Sequence, residues 1–279
     1  MYRANLTEWG KTINTRTGFI PYVITALVFL LSCRTATSPT VFVEETPDIS
    51  TGLVAHYLMA GNGVHSGGHG FSGLNQGGVS TSDHLGRPNS ALSFNGYSSY
   101  VLCGDILDSV FAKPVATFTV AGWARTIRDG TQSGGGGLMI GKNGGGDDGP
   151  YEWNVTHSDG NIDAFVMFDT LAASYERISS PVGVGNWFHF ALVFDGTRFA
   201  GSRMDLYING LLARVMTKAL AGTSGTGTMN SSQNLTIGAG HAARNPQVPN
   251  NCYDGSLSDI RIYNRALTAP EILAVYASE

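Results

Sequence analysis

The acidic residues that could do chemistry are densest in the segment GGGDDGPYE, which contains Asp147, Asp148 and Glu152. Hydrolysis of a glycosidic bond needs two carboxyl groups held about 5–5.5 Å or 6.5–9.5 Å apart. The glycine run before these acids predicts a solvated loop, not a strand that would aim them into one cleft. A divergent glycosidase would require Asp147, Asp148 or Asp169 to meet Glu152 in the fold. The chain also lacks Gly-x-Ser-x-Gly and His-Glu-x-x-His motifs, so the sequence predicts no enzyme.

The same region could instead bind a sugar, because it combines aromatic side chains with polar ones. A sugar offers flat faces for stacking and hydroxyls for hydrogen bonds, so its site needs both kinds of residue. The predicted ligand-binding residues are Tyr151, Trp153, Asp147, Asp148 and Asn143. Tyr175 and Tyr207 are further aromatic residues outside the expected core. The alternative for each aromatic residue is an ordinary packing role in a sheet.

Residues 1–32 have the parts of a secretory signal, with Arg3 and Lys11 ahead of a short apolar run. That run, Phe19–Leu31, would reach about 20 Å as a helix, which is short of the roughly 30 Å hydrocarbon core. It ends in Leu-Leu-Ser-Cys, which resembles a bacterial lipobox and implies lipid attachment to Cys33; ordinary cleavage nearby is the alternative. We therefore expect an exported protein, either a lipid-anchored protein of the cell envelope or a secreted one. Residues 33–50 are polar, contain prolines and predict a tether to a domain at 51–279.

Export bears on the two remaining cysteines, Cys103 and Cys252. An even number of cysteines in an oxidising compartment permits a disulfide bond. Geometry decides whether it forms, and two buried free thiols are the alternative.

The composition after residue 50 favours an all-β fold. Charged residues make up 14% of the chain and glycine is abundant at 37 residues, while short alternating runs are separated by turn residues. Ser158-Asp159-Gly160 and Asn209-Gly210 predict hairpin turns, and Thr268 with Glu271 predicts a capped helix at the C-terminus. The pattern predicts one antiparallel two-sheet β-sandwich. A net charge of -4 without a basic cluster argues against nucleic-acid binding.

Four segments resemble the laminin-G-like, concanavalin A-like jelly rolls of bacterial secreted proteins. In chain order they are GLVAHYLMAGNG, DHLGRPNSALSFNGYSSYV, NWFHFALVFDG with LYINGLL, and DGSLSDIRIYNRALTAPEI. The resemblance implies a jelly-roll sandwich of two antiparallel sheets.

The resemblance also implies calcium, which members of this family often hold between the first and closing strands. Asp259, Asn95 and Gly96 are the residues that this implies as metal ligands here. Ala60 and Ser258 stand where the family usually has acids, so the expected affinity is low.

We expect a non-catalytic recognition module that binds a glycan or a cell-surface partner. The Glu-x-Asp-x-x-Glu string of related glucanases is missing, so a divergent glycosidase is the weakest alternative. A structural or adhesion domain without a small ligand is the other alternative, because this fold serves many unrelated functions.

Overall fold

The structure is a computed structural model that describes residues 46–61, 71–128, 137–143, 151–168, 174–213, 217–221, 228, 230–242 and 245–278. These residues belong to the compact unit Glu45–Glu279. The predicted signal, Cys33 and most of the predicted tether lie outside the described ranges. The last residues of that tether contact the sandwich, because Arg265 donates a hydrogen bond to the Asp48 carbonyl and Ile49 packs beneath the C-terminal helix.

Within the described ranges, short alternating segments form eighteen strands and two helices. The elements are β1 (Leu53–Tyr57), β2 (Leu74–Gln76), β3 (Val79–Thr81), β4 (Ala91–Asn95), β5 (Tyr100–Gly104), α1 (Asp108–Phe111), β6 (Thr117–Thr126), β7 (Gly137–Asn143), β8 (Tyr151–Ser158), β9 (Asn161–Met167), β10 (Tyr175–Pro181), β11 (Phe188–Asp195), β12 (Met204–Ile208), β13 (Leu211–Leu212), β14 (Thr217–Ala221), β15 (Leu235–Ile237), β16 (Gly240–Ala242), β17 (Asn245–Asn250), β18 (Asp254–Tyr263) and α2 (Ala269–Ala277).

The strands form two antiparallel sheets, as the sequence predicts. The first sheet has the order β13-β12-β11-β6-β18-β4-β3, with β1 also pairing β18, and the second has the order β14-β10-β9-β8-β7-β15-β5-β2. β16 and β17 form a separate small pair. The predicted hairpin turns are confirmed, because Asp159-Gly160 and Asn209-Gly210 all have positive φ, as the tight turn between two strands requires.

The core lies between the two sheets and is built from every second residue of the central strands. Phe190 and Leu192 on β11 face Trp153 and Val155 on β8 across this layer, and all four are fully buried. β11 is also buried on its other face, because α2 covers it with Ile272 and neighbouring apolar residues. The helix begins as predicted, since the Glu271 carboxylate accepts hydrogen bonds from both the backbone N–H and the hydroxyl of Thr268. Neither helix is long and apolar enough to cross a membrane, judged over the residues that the structure describes.

Candidate functional site

Two residues of the predicted sugar-binding set, Trp153 and Asn143, lie inside the protein and not at its surface. Asp147 and Asp148 lie outside the described residues, and so does the side chain of Tyr151. Trp153 is fully buried, with its ring 4.7 Å from Phe111 between ring centroids, so it cannot stack on a sugar. Asn143 is 3% exposed. The prediction is wrong for Trp153 and Asn143 because the alternation of β8 turns Trp153 inward and β7 is buried throughout.

Glu152 is a buried ion-pair partner. Its carboxylate accepts hydrogen bonds of 2.9 Å and 2.8 Å from the backbone and hydroxyl of Ser231 and lies 3.4 Å from the Lys142 ammonium. Burial raises the pKa of Glu152, while Lys142 and Ser231 oppose that rise. The Lys142 ammonium also contacts Asp105 and Asp108. Asp147, Asp148 and Asp169 lie outside the described ranges, so the pairing that a glycosidase would need stays a hypothesis.

The predicted disulfide bond between Cys103 and Cys252 is wrong, because both thiols are free and buried. Cys103 belongs to the core between the sheets, whereas Cys252 packs in a separate small cluster with Tyr100 and Ala239. The Cys252 thiol donates to the Tyr97 carbonyl at 3.1 Å. The two side chains therefore occupy different apolar clusters.

The residues expected to hold calcium are also separated. Asn95 is paired with Asp254 on β18, so Asp259 lies roughly 15 Å further along that strand at 3.3 Å per residue. The Asn95 amide oxygen already accepts backbone N–H groups of the following turn, including Tyr97 at 2.9 Å and Ser98 at 2.9 Å. Gly96 serves this turn through its positive φ of 74°.

Asp259 is paired with cationic groups within the protein. Arg261 Nε donates a hydrogen bond of 3.1 Å to one oxygen of this carboxylate, and the guanidinium lies 2.9 Å from the other oxygen. His56 Nε2 contacts the same carboxylate. Among the described residues, no group of three or more His, Cys, Asp or Glu side chains could hold a metal ion. Asp259 therefore lies too far from Asn95 and Gly96 for the three residues to bind one calcium ion together, and calcium binding stays a prediction.

An aromatic pair lies on the outer face of the second sheet. Ile162, Ala164 and Val166 of β9 point into the core, so the residues between them point outward. The Phe165 ring stacks with that of Tyr175 on the neighbouring strand β10, at 4.6 Å between centroids and 23° between planes. Both rings are partly exposed.

Polar residues surround this pair on the same face. Strand register places Asn154 beside Phe165 on one side and Arg177 on the other. The Arg177 guanidinium donates two hydrogen bonds to Asp163, at 3.0 Å and 2.7 Å, and remains 46% exposed. Each charge is therefore neutralised by the other, and the face offers an aromatic platform with flanking hydrogen-bonding groups.

Sequence reasoning missed Phe165, Asn154, Arg177 and Asp163 as residues on the outer face of the second sheet. The signal was present in NIDAFVMF, where Asp163 and Phe165 alternate with small or aliphatic residues. Alternation separates two sets of residues, but it does not say which set faces the other sheet.

Comparison of the chain with known protein families identifies the family to which it belongs. A family model described as the concanavalin A-like lectin/glucanases superfamily matches residues 95–273. No curated protein sequence matches the chain.

Solved structures share the fold at low sequence identity. Domain 4 of the extracellular arabinanase AbnA from Geobacillus stearothermophilus, in complex with arabinotriose, is 17% identical with a TM-score of 0.54; the match covers 80% of this chain and 98% of that one. The receptor-binding domain of botulinum neurotoxin C/D mosaic serotype is 14% identical with a TM-score of 0.56, covering 82% and 51%. The binding domain of botulinum neurotoxin DC in complex with SialylT is 13% identical with a TM-score of 0.57, covering 83% and 52%. The chain thus spans about half the length of the neurotoxin domains.

Proposed function

The chain belongs to the concanavalin A-like lectin/glucanases superfamily, and from that premise we propose that it is a non-catalytic glycan-recognition module. Its binding surface is the outer face of the second sheet. The observation that carries this proposal is the partly exposed Phe165–Tyr175 pair, set among Asn154, Arg177 and Asp163.

The geometry of this face suits an oligosaccharide chain. Strands β8, β9 and β10 lie side by side, so the row Asn154–Phe165–Arg177 spans about 10 Å at 4.8 Å between strands. An exposed ring provides a surface for the C–H groups of a sugar, and the amide and guanidinium can bond its hydroxyls. The Arg177–Asp163 ion pair leaves little net charge, which favours a neutral glycan.

The absence of catalysis is part of the proposal. The Asp163 carboxylate accepts both hydrogen bonds from Arg177, so it is held as an ion-pair partner and not as an acid or nucleophile. The arabinotriose and SialylT complexes of two structurally similar domains support a glycan as the ligand class.

We also propose that the module is exported and displayed at the cell envelope. Support comes from the signal-like residues 1–32 and the lipobox-like Cys33. A tether from residue 33 would let the sandwich reach ligands outside the cell. Mass spectrometry of Cys33 in the membrane fraction tests this, because an unmodified chain that begins elsewhere would contradict lipid anchoring.

A glycan-array screen of the purified protein tests the main proposal. We expect saturable binding to neutral oligosaccharides that weakens about tenfold when Phe165→Ala or Tyr175→Ala removes one ring. Phe199→Ala is the matched control, because Phe199 is 90% exposed on the loop between β11 and β12. Binding that is indifferent to Phe165 and Tyr175, or equally sensitive to Phe199, would contradict the assignment of this face.

A structural or adhesion role is the second candidate, and an apolar edge of the first sheet favours it. Leu211 and Leu212 on the edge strand β13 are 67% and 63% exposed, and Leu273 on α2 is 47% exposed. Exposed apolar groups beside an unpaired strand edge are typical of protein contacts. A negative glycan array together with Leu211-dependent association would move the function to this edge.

A further inference from the structure

Exposed apolar side chains lie at one end of the sandwich, where β6 begins and β11 ends. Phe199, on the loop between β11 and β12, is 90% exposed, and Ala200 beside it is also exposed. Val115, on the loop before β6, is 48% exposed. The Gly196 backbone N–H donates to the Ala116 carbonyl at 2.8 Å, so the two loops lie side by side. We call Val115, Phe199 and Ala200 the apolar tip.

The loop between β11 and β12 is fixed from beneath. The fully buried Glu176 carboxylate accepts a hydrogen bond of 2.8 Å from the Gly201 backbone N–H and lies 3.3 Å from the Arg203 guanidinium. At the start of the loop, the Asp195 carboxylate accepts from the backbone N–H and the hydroxyl of Thr197, at 3.0 Å and 2.6 Å. A side chain on a loop that is already ordered loses less conformational entropy when a partner buries it. The loop is therefore suited to present its exposed ring to a partner.

The charged groups beside the apolar tip are paired within the protein. The Arg198 guanidinium lies 2.8 Å from the Asp205 carboxylate and 3.6 Å from that of Asp195. A charged partner would have to compete with these ion pairs, whereas an apolar partner would leave them intact. Lys113, two residues before Val115, can lay its stem along apolar surface and extend its ammonium to a phosphate. This combination fits a phospholipid bilayer, in which phosphates lie above the acyl chains.

The chain enters the sandwich at this same end. Leu53 of β1 pairs with Tyr263 of β18, which pairs with Thr119 of β6. Thr119 in turn pairs with Val193 of β11. Because these neighbouring strands are antiparallel, β1 begins at the end where β11 finishes, and three strand spacings of roughly 4.8 Å separate them by about 14 Å. The segment before β1 therefore leaves the sandwich on the same side as the apolar tip.

We propose that the apolar tip inserts into the surface of the bilayer to which the chain is anchored, so that this end of the sandwich faces the membrane. The inference rests on the proposed lipid attachment at Cys33. A flexible linker of the length that separates Cys33 from the described sandwich reaches about 20 Å, so it keeps the domain close to the bilayer. One inserted ring binds weakly by itself, but attachment to the same membrane gives it a high effective concentration. This contact is separate from the Phe165–Tyr175 face and orients the module on the membrane.

Quenching by brominated phospholipids tests the contact. The full-length protein, made without lipid on Cys33, is coupled through that thiol to phosphatidylcholine vesicles that carry a maleimide lipid. Cys103 and Cys252 are buried, so we expect them not to react. Bromines in the acyl chains should quench roughly half of the fluorescence that Phe199→Trp adds, because a ring inserted about 5–10 Å deep lies close to them. Val184→Trp is the matched control, since Val184 is 46% exposed on the loop before β11, at the opposite end, and its added fluorescence should not change.

Two further measurements separate apolar insertion from electrostatic attraction. Val115→Trp should also be quenched, and Phe199→Ser in that background should weaken the quenching, because the larger apolar group of the tip is removed. The quenching should be the same at low and high salt, and with or without anionic phosphatidylglycerol, since salt screens only the charged contribution.

The outcomes that contradict the inference are distinct from a failure of the anchor. No quenching of Phe199→Trp, equal quenching of Val184→Trp, or quenching that requires anionic lipid would each overturn it. A change in fluorescence that grows with protein density on unbrominated vesicles would assign the tip to contact between two copies instead. Because the coupling imposes the anchor, these results do not depend on lipid attachment in the cell, and an unmodified Cys33 there would contradict the anchor alone.

Discussion

At the scale of single residues, His189 is a titratable side chain whose pKa is changed by burial on the outer face of the first sheet. The side chain is fully buried between Trp123 and Tyr276, with ring centroids 5.4 Å and 5.7 Å away. Both ring nitrogens lack a hydrogen-bond partner among the described residues. Burial lowers the pKa of His189 to about 3 from an ordinary value of 6.5. His189 therefore stays neutral wherever the protein is folded at moderate pH.

This burial predicts a loss of stability in mild acid. Below pH 6.5 the unfolded chain binds a proton at His189, whereas the folded chain does not until about pH 3, so stability falls as the pH drops through that window. We expect the free energy of unfolding to fall by roughly 3 kcal/mol between pH 7 and 4 from this group. Denaturant titrations of the wild-type protein and His189→Phe measure the effect, since the variant keeps an aromatic ring but cannot bind the proton. Parallel pH curves for the two proteins would contradict it.

Asp259 gives a second prediction at this scale. Because Arg261 and His56 already contact its carboxylate, we expect a calcium chelator to leave the melting temperature unchanged. A bound ion at about a hundred times its Kd would contribute about 2.7 kcal/mol, so its removal would lower Tm by several degrees. Calorimetric scans with calcium and with chelator decide between these outcomes. A drop of several degrees that Asp259→Asn abolishes would instead support the calcium hypothesis.

At the scale of elements, the turn that follows β15 depends on a glycine. Gly238 has a φ of 89°, and a Cβ there would lie 2.5 Å from the Phe94 ring of the core. Its backbone N–H donates to the Met139 carbonyl and its carbonyl accepts from Tyr253, so the turn joins the second sheet to the segment before β18.

We expect Gly238→Ala to lower the free energy of unfolding by roughly 2–4 kcal/mol, from unfavourable φ together with overpacking against Phe94. Gly86→Ala is the matched control, since Gly86 has a φ of 78° but nothing within 4 Å of its Cβ position. The free energy of unfolding of that variant should fall by only about 1 kcal/mol, because only the backbone conformation is unfavourable there. Equal losses in urea denaturation of the two variants would show that contact with Phe94 has no effect.

At the scale of the whole molecule, two packed sheets hold the described part of the chain together without a disulfide bond between Cys103 and Cys252. Cys103 lies in the core that both sheets share, and Cys252 lies in a separate small cluster near the chain segment that leads into β18. Burial raises the pKa of Cys103 to about 12 and that of Cys252 to about 11. Neither thiol is therefore a reactive thiolate near neutral pH.

We expect a reducing agent to leave the unfolding transition unchanged. Both thiols should resist alkylation at pH 8 in the folded protein and react fully once the chain is unfolded. Mass spectrometry of alkylated protein measures this residue by residue. A mass that shows Cys103 and Cys252 joined, or a transition that reductant shifts to lower temperature, would overturn the free-thiol assignment.

The sequence by itself determined the local features of the fold. Alternation predicted the strands, Asn209-Gly210 predicted a hairpin because that pair accepts positive φ, and Thr268 with Glu271 predicted the capped helix. Each of these depends on residues that are neighbours along the chain. The resemblance of longer segments to a known family then predicted the jelly roll.

Only the tertiary structure decided which residues are available for function. Alternation in β8 and β9 fits either orientation equally well, and the packing of one sheet on the other turned Trp153 inward and Phe165 outward. The separation of Cys103 from Cys252 and the pairing of Asp259 with Arg261 also depend on how these strands are arranged in space. Local sequence sets the conformation of a strand, but burial and charge pairing are set by the strands and loops that pack against it.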